Sequence, residues 1–366
     1  MTGALAGVLV ADFSRVLAGP YATMLLGDLG AEVVKVERPG AGDDTRQWGP
    51  PWRDSDRGRE ATYFLGVNRN KRSVWLDLRD EGDRQAAAQL ATRADVVVEN
   101  FAPGTMQRFG LGYEQVSAHN PGVVYASITG FGSGPGAQLP GYDLLAQAVG
   151  GLMSITGPGP GEPTKVGVAL VDVICGLHAT VGILAALQYR AETGVGQQVE
   201  VNLLSSLLSA LTNQASAYVA GGVVPEILGN RHPSISPYEV FATADRPLVL
   251  AVGNDLQFRR LCEVLQVPEL ALDERFATNP ARVAARDELV LRLSAALAQR
   301  SASEWFELLS AAGVPAGPIN NLAAAVDLAE QLGLDPIVEV DSVPTVANPI
   351  RLSTTPVTYR SGPPQR

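Results

Sequence analysis

Residues 8–37 of this chain, VLVADFSRVLAGPYATMLLGDLGAEVVKVE, determine its fold class. The apolar residues 8–13 predict a short strand, and Gly19-Pro20 begins a predicted helix that ends at Gly30. Residues 32–37 predict a second strand. A strand, a helix and a second strand in this order are typical of parallel strands joined by a crossover helix.

Further strands are predicted at residues 73–78, 95–99, 123–128 and 198–201, with helical patterns between them. Longer helices are predicted at about 172–192 and 203–219. The first part of the chain, residues 1–220, is therefore predicted to be a large α/β domain. It contains an open, mostly parallel sheet with covering helices.

The composition changes near Gly221-Gly222, and residues 225–320 are predicted to form a smaller α/β domain. Its strands are predicted at 238–242 and 247–252, and its helices near 255–265 and 283–299. Ser301 and Glu304 form a predicted capping box that begins another helix. Residues 335–366 are predicted to return to the large domain.

The composition of the 366 residues excludes several classes of protein. With 46% hydrophobic and 18% charged residues, the chain is predicted to bury a large core. Its net charge of −10 argues against nucleic acid or an anionic membrane as a partner. We identify no signal peptide and no apolar run approaching the ~18 residues that span a bilayer, so we expect a soluble, cytoplasmic protein.

Known cofactor and nucleophile motifs are absent from the sequence. Two cysteines and three scattered histidines predict neither a disulfide framework nor a metal site. The segment SRVLAGP (14–20) replaces the Gly-x-Gly-x-x-Gly that a nicotinamide-binding domain carries after its first strand. The chain also lacks a phosphate-binding P-loop and the Gly-x-Ser-x-Gly of serine hydrolases.

Basic and amide side chains follow the predicted strands of the first third of the chain. Because ligands of open α/β sheets bind beyond the carboxyl ends of the strands, these residues are expected to share one edge. A single arginine there fits a solvated surface charge, but several at one edge fit a ligand with phosphates and an aromatic base. The residues are Arg15, Arg38, Arg79, Asn100, Phe101 and, one or two helical turns later, Arg108.

A single carboxylate, Asp172, interrupts the apolar run ALVDVICGLHA (169–179) where the long helix begins. Asp is a preferred N-cap residue, so one interpretation is structural. The other is a working carboxylate, because an acidic side chain is rarely placed among apolar residues without a partner or a function. The small residues Gly176, Ala179 and Gly182 predict close packing of this helix.

The chain resembles the class III CoA-transferases, the CaiB–BaiF family, from residue 5 to about residue 359. The short runs that carry the resemblance are weak singly and specific together. They are LAGP (17–20), LGAEVVKVER (29–38), NKRS (70–73), VENFAPG (98–104), GYD (141–143), the Asp172 helix and TGVGQ (193–197).

The resemblance implies an acyl-CoA:carboxylate CoA-transferase that forms an interlocked homodimer. It implies that Asp172 is the covalent nucleophile and that Tyr142 is an active-site aromatic residue near the thioester. It implies a CoA site lined by Arg15, Val16, Arg38, Leu76, Arg79, Asn100, Phe101 and Arg108. The expected substrates are acyl-CoA and small carboxylic acids, without a metal ion.

The implied mechanism is chemically consistent with an aspartate nucleophile. With an ordinary pKa of about 3.9, Asp172 is expected to be ionised at pH 7 and to need no base. It attacks the thioester, and the released thiolate then converts the mixed anhydride into an aspartyl-CoA thioester. Backbone N–H groups at the start of the helix are expected to stabilise the oxyanion.

Two departures from the family pattern affect the substrate and the C-terminus. GNRHPSISP (229–237) replaces the glycine-rich loop of members that act on formyl and oxalyl groups, which disfavours those substrates. In that loop, His232 either faces an acceptor carboxylate or is a surface residue. The family pattern also has a Gly-Glu-His turn and a final helix beyond the position of Gly362, and that element normally completes the packing of the large domain.

Two alternatives remain open at this point. Racemases of the same family carry His after the glycine that corresponds to Gly141, and Gly-Asp before the long helix. This chain has Tyr142 and Val171 at those positions, which favours a transferase. The other alternative is a CoA-binding protein without turnover.

Overall fold

The computed structural model describes residues 3–55 and 58–365. Residues 1–2 and 366, which belong to the predicted large domain, lie outside the described residues. The chain divides into two compact units. The first unit contains the described residues up to Met153, Lys165–Pro225, and the segment that begins at Gly333. The second unit contains Ser154–Thr164 and Glu226–Leu332.

The strands of the described residues are numbered in chain order. They are β1 (Leu9–Asp12), β2 (Glu32–Glu37), β3 (Trp52–Ser55), β4 (Gly58–Ala61), β5 (Lys71–Trp75), β6 (Val96–Glu99), β7 (Val124–Thr129), β8 (Gln197–Asn202), β9 (Tyr238–Phe241), β10 (Leu248–Ala251), β11 (Ala316–Pro318), β12 (Ile337–Val340) and β13 (Val343–Val346).

The α-helices of the described residues are numbered in the same way, and a 3₁₀ helix occupies Asp44–Gln47. They are α1 (Ala18–Asp28), α2 (Thr62–Leu65), α3 (Glu81–Arg93), α4 (Thr105–Arg108), α5 (Tyr113–His119), α6 (Asp143–Val149), α7 (Leu152–Ile155), α8 (Leu170–Thr193), α9 (Leu203–Ala210), α10 (Thr212–Val219), α11 (Asp255–Val264), α12 (Glu269–Leu272), α13 (Asn279–Ala284), α14 (Arg286–Leu297), α15 (Ala302–Ala311) and α16 (Leu322–Gln331).

The first unit is built on a six-stranded sheet with the order β5-β2-β1-β6-β7-β8. Every neighbouring pair in it is parallel, which confirms the predicted large parallel sheet with covering helices. The chain first builds the sheet outward from β1 to β5 and then returns to the other side of β1. Because the strand order reverses between β1 and β6, a crevice is expected beyond the carboxyl ends of these two strands.

Alternating side chains of the strands enter two apolar layers. Val10 and Val98 face α1, α8 and α9, whereas Ala11 and Val97 face α3 and α5. Both faces of the sheet are therefore covered, which explains why its strands are runs of apolar residues.

The long helix α8 belongs to the first of these layers. Its 24 residues have a mean hydropathy of 2.0 in the most apolar window, so it is long and apolar enough to cross a membrane. The sequence-based statement that no apolar run approaches that length was therefore wrong. Val171, Cys175, Ala179 and Ile183 nevertheless lie in the packed core beside the sheet. The apolar character of this face follows from its burial.

Four predicted elements differ from the structure. The third strand of the sheet was predicted at 73–78 but occupies Lys71–Trp75, because the buried Lys71 ammonium is compensated by Asp12 at 3.1 Å. The predicted helix at 203–219 is divided into α9 and α10 near Thr212, which has φ 37. The predicted helix at 283–299 spans the end of α13 and the whole of α14. The predicted irregular segment after Arg38 contains the hairpin of β3 and β4.

The second unit contains the antiparallel sheet β11-β10-β9 and a core around Phe241, Phe258 and Trp305. The predicted capping box at Ser301 and Glu304 is confirmed. Residues 154–164 lie within the predicted bounds of the large domain. In the structure these residues pack in the second unit, where the carbonyl oxygen of Pro158 lies against Gly229. The second unit also extends beyond residue 320 to include α16.

A buried ionic cluster fastens the final segment to the first unit. Asp28, at the end of α1, forms an ion pair with Arg69 at 2.6 Å and accepts hydrogen bonds from Asn70 and Asn348. The guanidinium of Arg360 donates to the carbonyl oxygens of Gly27, Gly30 and Ala31. It therefore adds hydrogen bonds to carbonyl groups at and just beyond the C-terminus of α1.

Asp28→Ala is expected to lower the free energy of unfolding by about 3–5 kcal/mol, because the buried Arg69 guanidinium loses its compensating charge. The control is Arg72→Ala, which breaks the exposed ion pair with Glu32 and is expected to cost less than about 1 kcal/mol. Chemical denaturation measures both values. Equal losses in the two variants would contradict a stabilising role for the buried cluster.

Candidate active site

A cavity of about 360 Å³ lies within the first unit at the crevice expected from the strand order. Its walls come from the segments after β1, β6 and β7 and from the first turn of α8. Six of the residues singled out in the sequence line this cavity. They are Arg15, Val16, Asn100, Phe101, Tyr142 and Asp172.

The turn after β1 is tied to the segment after β6. The Arg15 backbone N–H donates to Asn100 Oδ1 at 2.8 Å, and Asn100 Nδ2 donates to the Arg15 carbonyl oxygen at 2.7 Å. The Arg15 guanidinium lies 4.9 Å from the centre of the Phe101 ring and forms an ion pair with Asp44 at 3.6 Å. One wall of the cavity thus carries a cation stacked on an aromatic ring, an arrangement suited to a planar base or a phosphate.

The other four predicted CoA-site residues lie outside the cavity lining. Arg38 and Arg79 are exposed beyond β2 and β5, where Arg79 forms an ion pair with Asp77 at 2.9 Å. Leu76 is half-buried against the core. Arg108 ends α4 and donates to Thr105 Oγ1. Because β2 adjoins β1 and β5 adjoins β2, Arg38 and Arg79 extend the same sheet edge away from the cavity.

Asp172 is the third residue of α8, and the N-cap is Ala169, so the N-cap interpretation of Asp172 was wrong. Asp143, the first residue of α6, supplies the missing cap from another helix. Its Oδ1 accepts the backbone N–H groups of Val171 at 2.8 Å and Asp172 at 3.2 Å. Gln147 donates to Asp143 Oδ2 at 2.6 Å and holds this carboxylate in place.

The cap provided by Asp143 also changes the expected source of oxyanion stabilisation. The backbone N–H of Leu170 donates to the Val168 carbonyl oxygen, and those of Val171 and Asp172 donate to Asp143. These donors at the start of α8 are therefore already engaged. The expectation that they stabilise the oxyanion was wrong.

The carboxyl group of Asp172 has a strongly perturbed pKa. Burial, and secondarily the nearby Asp143 carboxylate, raises its pKa to about 7. The expectation of an ordinary, fully ionised aspartate was therefore wrong. Near neutral pH the group is divided between acid and carboxylate, and its raised pKa makes the carboxylate more basic than an exposed aspartate.

Sequence reasoning missed Tyr63 and the capping role of Asp143. Burial, followed by the charges of Asp172, Asp143 and Asp43, raises the pKa of Tyr63 to about 12. The Trp48 ring packs edge-on to Tyr63 with the ring centres 5.4 Å apart. The sequence feature that could have drawn attention to Tyr63 is the Trp- and Arg-rich segment after Arg38, which contains it and lacks regular periodicity.

Backbones approach closely behind the cavity wall. A side chain at Gly130 would lie 2.4 Å from the Gly141 Cα atom, so this contact requires two glycines. Similarly, a side chain at Gly176 would lie 2.6 Å from the Ala18 carbonyl oxygen, where α8 packs on α1. The predicted close packing of α8 is confirmed, and Gly141 sets the positions of Tyr142 and Asp143 that follow it.

The cavity thus combines a partly ionised carboxylate with an aromatic and cationic wall. None of the described residues that line it is a histidine. A carboxylate of this kind is suited to nucleophilic attack on an activated acyl group.

Comparisons with known proteins identify the family of this chain. The CoA-transferase family III model matches residues 5–366. A succinyl-CoA:glutarate CoA-transferase of Mus musculus is 46% identical over 343 residues, covering 93% of this chain and 78% of the mouse protein. A succinate–glutarate CoA-transferase of Agrobacterium fabrum is 42% identical over 369 residues, covering 99% and 92% of the two chains.

The fold is also that of a solved structure. The crystal structure of a CaiB/BaiF family protein from Brucella suis has a TM-score of 0.90 and 42% identity, and the match covers 100% of this chain and 96% of that chain. The chain therefore belongs to CoA-transferase family III, and it is a class III CoA-transferase.

Proposed function

We propose that this enzyme moves CoA from a dicarboxylic acyl-CoA to a second dicarboxylic acid through a covalent intermediate on Asp172. Two relatives at 42–46% identity are named for succinate or succinyl-CoA and glutarate, which supports short dicarboxylic acids as substrates. The observation that carries the proposal is the position of Asp172, a raised-pKa carboxylate in the lining of the crevice cavity.

The CoA moiety is proposed to bind along the carboxyl edge of the sheet. Arg15 and Phe101 offer a cation and a ring for the adenine or a phosphate, and Val16 and Asn100 complete the turn that holds them. Arg38, Leu76, Arg79 and Arg108 are proposed to contact the outer part of CoA. Because Arg38 and Arg79 lie exposed beyond β2 and β5, they can meet phosphates that extend out of the cavity.

The reaction is proposed to proceed in four balanced steps. The Asp172 carboxylate attacks the thioester carbonyl carbon, the C–S bond breaks, and CoA leaves as a thiolate with a mixed anhydride on Asp172. The thiolate attacks the Asp172 carbonyl carbon and expels the donor acid as a carboxylate. The acceptor carboxylate then attacks the aspartyl-CoA thioester, and the released thiolate takes the acceptor acyl group and regenerates Asp172.

Tyr142 and Tyr63 are proposed to border the reacting acyl group. Tyr142 lines the cavity and is the N-cap residue of α6, directly before Asp143. The phenol of Tyr63 remains protonated throughout the physiological pH range, since its pKa is about 12. It can therefore donate a hydrogen bond to a developing oxyanion in place of the engaged N–H groups of α8.

We also propose a homodimer, which the exposed apolar side chains of the first unit support. Leu177 and Val181 form an exposed pair on α8, and Val219 at the end of α10 is 82% exposed. Apolar faces of this extent are typical of surfaces covered by another protein chain. A second copy of this chain is the proposed partner.

Asp172→Asn is expected to abolish CoA transfer and the covalent adduct while CoA binding is retained, because the amide is isosteric but not nucleophilic. Intact mass measurement after incubation with succinyl-CoA and with a panel of other acyl-CoA thioesters detects the adduct in the native enzyme. Turnover by the variant at the native rate would contradict the mechanism. Solvent deuterium uptake at the α-carbon without adduct formation would instead indicate a racemase.

The rate of acyl transfer is expected to rise with pH through an apparent pKa of about 7, because only the ionised form of Asp172 attacks the thioester. Below that value kcat/KM is expected to fall about tenfold per pH unit. Asp143→Asn removes one of the two causes of the raised pKa, so its profile is expected to shift to lower pH. A flat profile from pH 5.5 to 8 would contradict this assignment.

A further inference from the structure

The turn between β1 and α1 contains a strained residue in the cavity wall. Val16 has φ 70, in the left-handed region that β-branched residues rarely adopt. Val16 and its neighbour Arg15 both line the cavity. Strained backbone of this kind persists only where the surrounding structure holds it in place.

Two fully buried charges hold this turn. The Val16 backbone N–H donates to both carboxylate oxygens of Asp43, each at 3.3 Å. The Lys35 ammonium donates to the carbonyl oxygen of Ser14 at 2.9 Å, two residues before the strained Val16, so the two contacts flank Arg15. Lys35 and Asp43 form an ion pair at 2.8 Å, and both side chains are 0% exposed.

Asp43 orders a second part of the cavity wall as well. It is the N-cap of the 3₁₀ helix Asp44–Gln47, and its Oδ1 accepts from the backbone and the hydroxyl of Thr45. Asp44 lines the cavity and pairs with Arg15. The carboxylate of Asp43 therefore contacts two separate segments, and each of them presents a residue to the cavity.

We propose that Lys35 and Asp43 are a positioning pair that keeps the Ser14–Val16 turn in its CoA-binding conformation before CoA arrives. This inference rests on the proposed binding of CoA in the cavity. Without the pair, Val16 is expected to relax to negative φ and to carry Arg15 away from Phe101. CoA must then select a minor conformation, so its affinity falls in proportion to the population of that conformation.

The pair acts on binding rather than on the chemical steps. The backbone of Asp172 is held by Asp143, which in turn accepts from Gln147, and neither residue makes a hydrogen bond to Lys35 or Asp43 among the contacts described. A change at Asp43 is therefore expected to alter the KM for acyl-CoA much more than kcat. A general loss of structure would lower kcat as well.

Asp43→Asn is the primary test, because the amide retains an acceptor oxygen but loses the ion pair with Lys35. We expect the Kd for CoA and the KM for succinyl-CoA to rise about tenfold, with kcat changed less than about twofold. The decisive comparison uses Val16→Gly, since glycine adopts positive φ without strain. In the Val16→Gly background, Asp43→Asn is expected to raise the Kd less than about threefold.

Controls separate positioning from stability. Asn348→Ala removes a hydrogen bond to the distant Asp28 cluster, and its Kd for CoA is expected to equal that of the native enzyme. If the Asp43→Asn variant does not fold, the double variant Lys35→Met with Asp43→Asn is measured instead. Removing both charges of the ion pair leaves neither of them uncompensated.

The outcomes distinguish this inference from the proposed function. A native enzyme that binds no CoA would overturn the proposed function itself. A native enzyme that binds CoA, with an unchanged Kd in Asp43→Asn, would overturn the positioning role alone. An equal loss of affinity with and without Val16→Gly would overturn it as well, since the strain at Val16 would then play no part.

Discussion

The buried charges at the centre of the parallel sheet are the constraint on which the first unit depends. Asp12 on β1 is paired with Lys71 on β5 at 3.1 Å and accepts a hydrogen bond from Thr23 of α1. Burial opposes its ionisation, but the charges of Lys71 and Lys35 and the hydrogen bonds from Ser14 and Thr23 together hold the pKa of Asp12 below its ordinary value. Because each charge is satisfied only when β1, β2 and β5 lie side by side, the charges select one strand order and one register. The same cluster then extends through Asp43 to the turn that borders the cavity.

The active site places two neighbouring carboxylates in different environments. Asp143 accepts hydrogen bonds from the start of α8 and from Gln147, whereas Asp172 receives no hydrogen bond to its side chain among the contacts described. The helix dipole favours both anions, and capping by Asp143 uses the donors that otherwise would stabilise Asp172. Asp143 is consequently structural, whereas the Asp172 side chain is not engaged by these donors. In the proposed mechanism, this division lets the Asp172 carboxylate act as the nucleophile near neutral pH.

The sequence predicted the sheet and much of the cavity wall because these depend on local patterns. Apolar runs such as that around Val97 predict buried parallel strands, and the residues after β1 and β6 follow from the position of the strand ends. The displaced strand at Lys71 depends on Asp12, 59 residues away in the sequence. Similarly, Asp143 caps a helix 28 residues later. The periodicity of the sequence does not identify partners that lie so far apart in the chain. A charged residue is therefore predicted to lie on the surface unless its counterion is known.

The contacts of Asn348 and Arg360 with α1 determine when, during synthesis, the first unit can be completed. Arg360 caps the C-terminus of α1 across 333 residues of sequence, and Asn348 reaches Asp28 across 320. Synthesis of the second unit, Ser154–Thr164 and Glu226–Leu332, is therefore complete before the first unit gains these contacts. The two apolar layers of the first unit are built from residues 5–211, so they can pack before the segment of Asn348 and Arg360 is synthesised. That segment then adds the polar contacts at the end of α1.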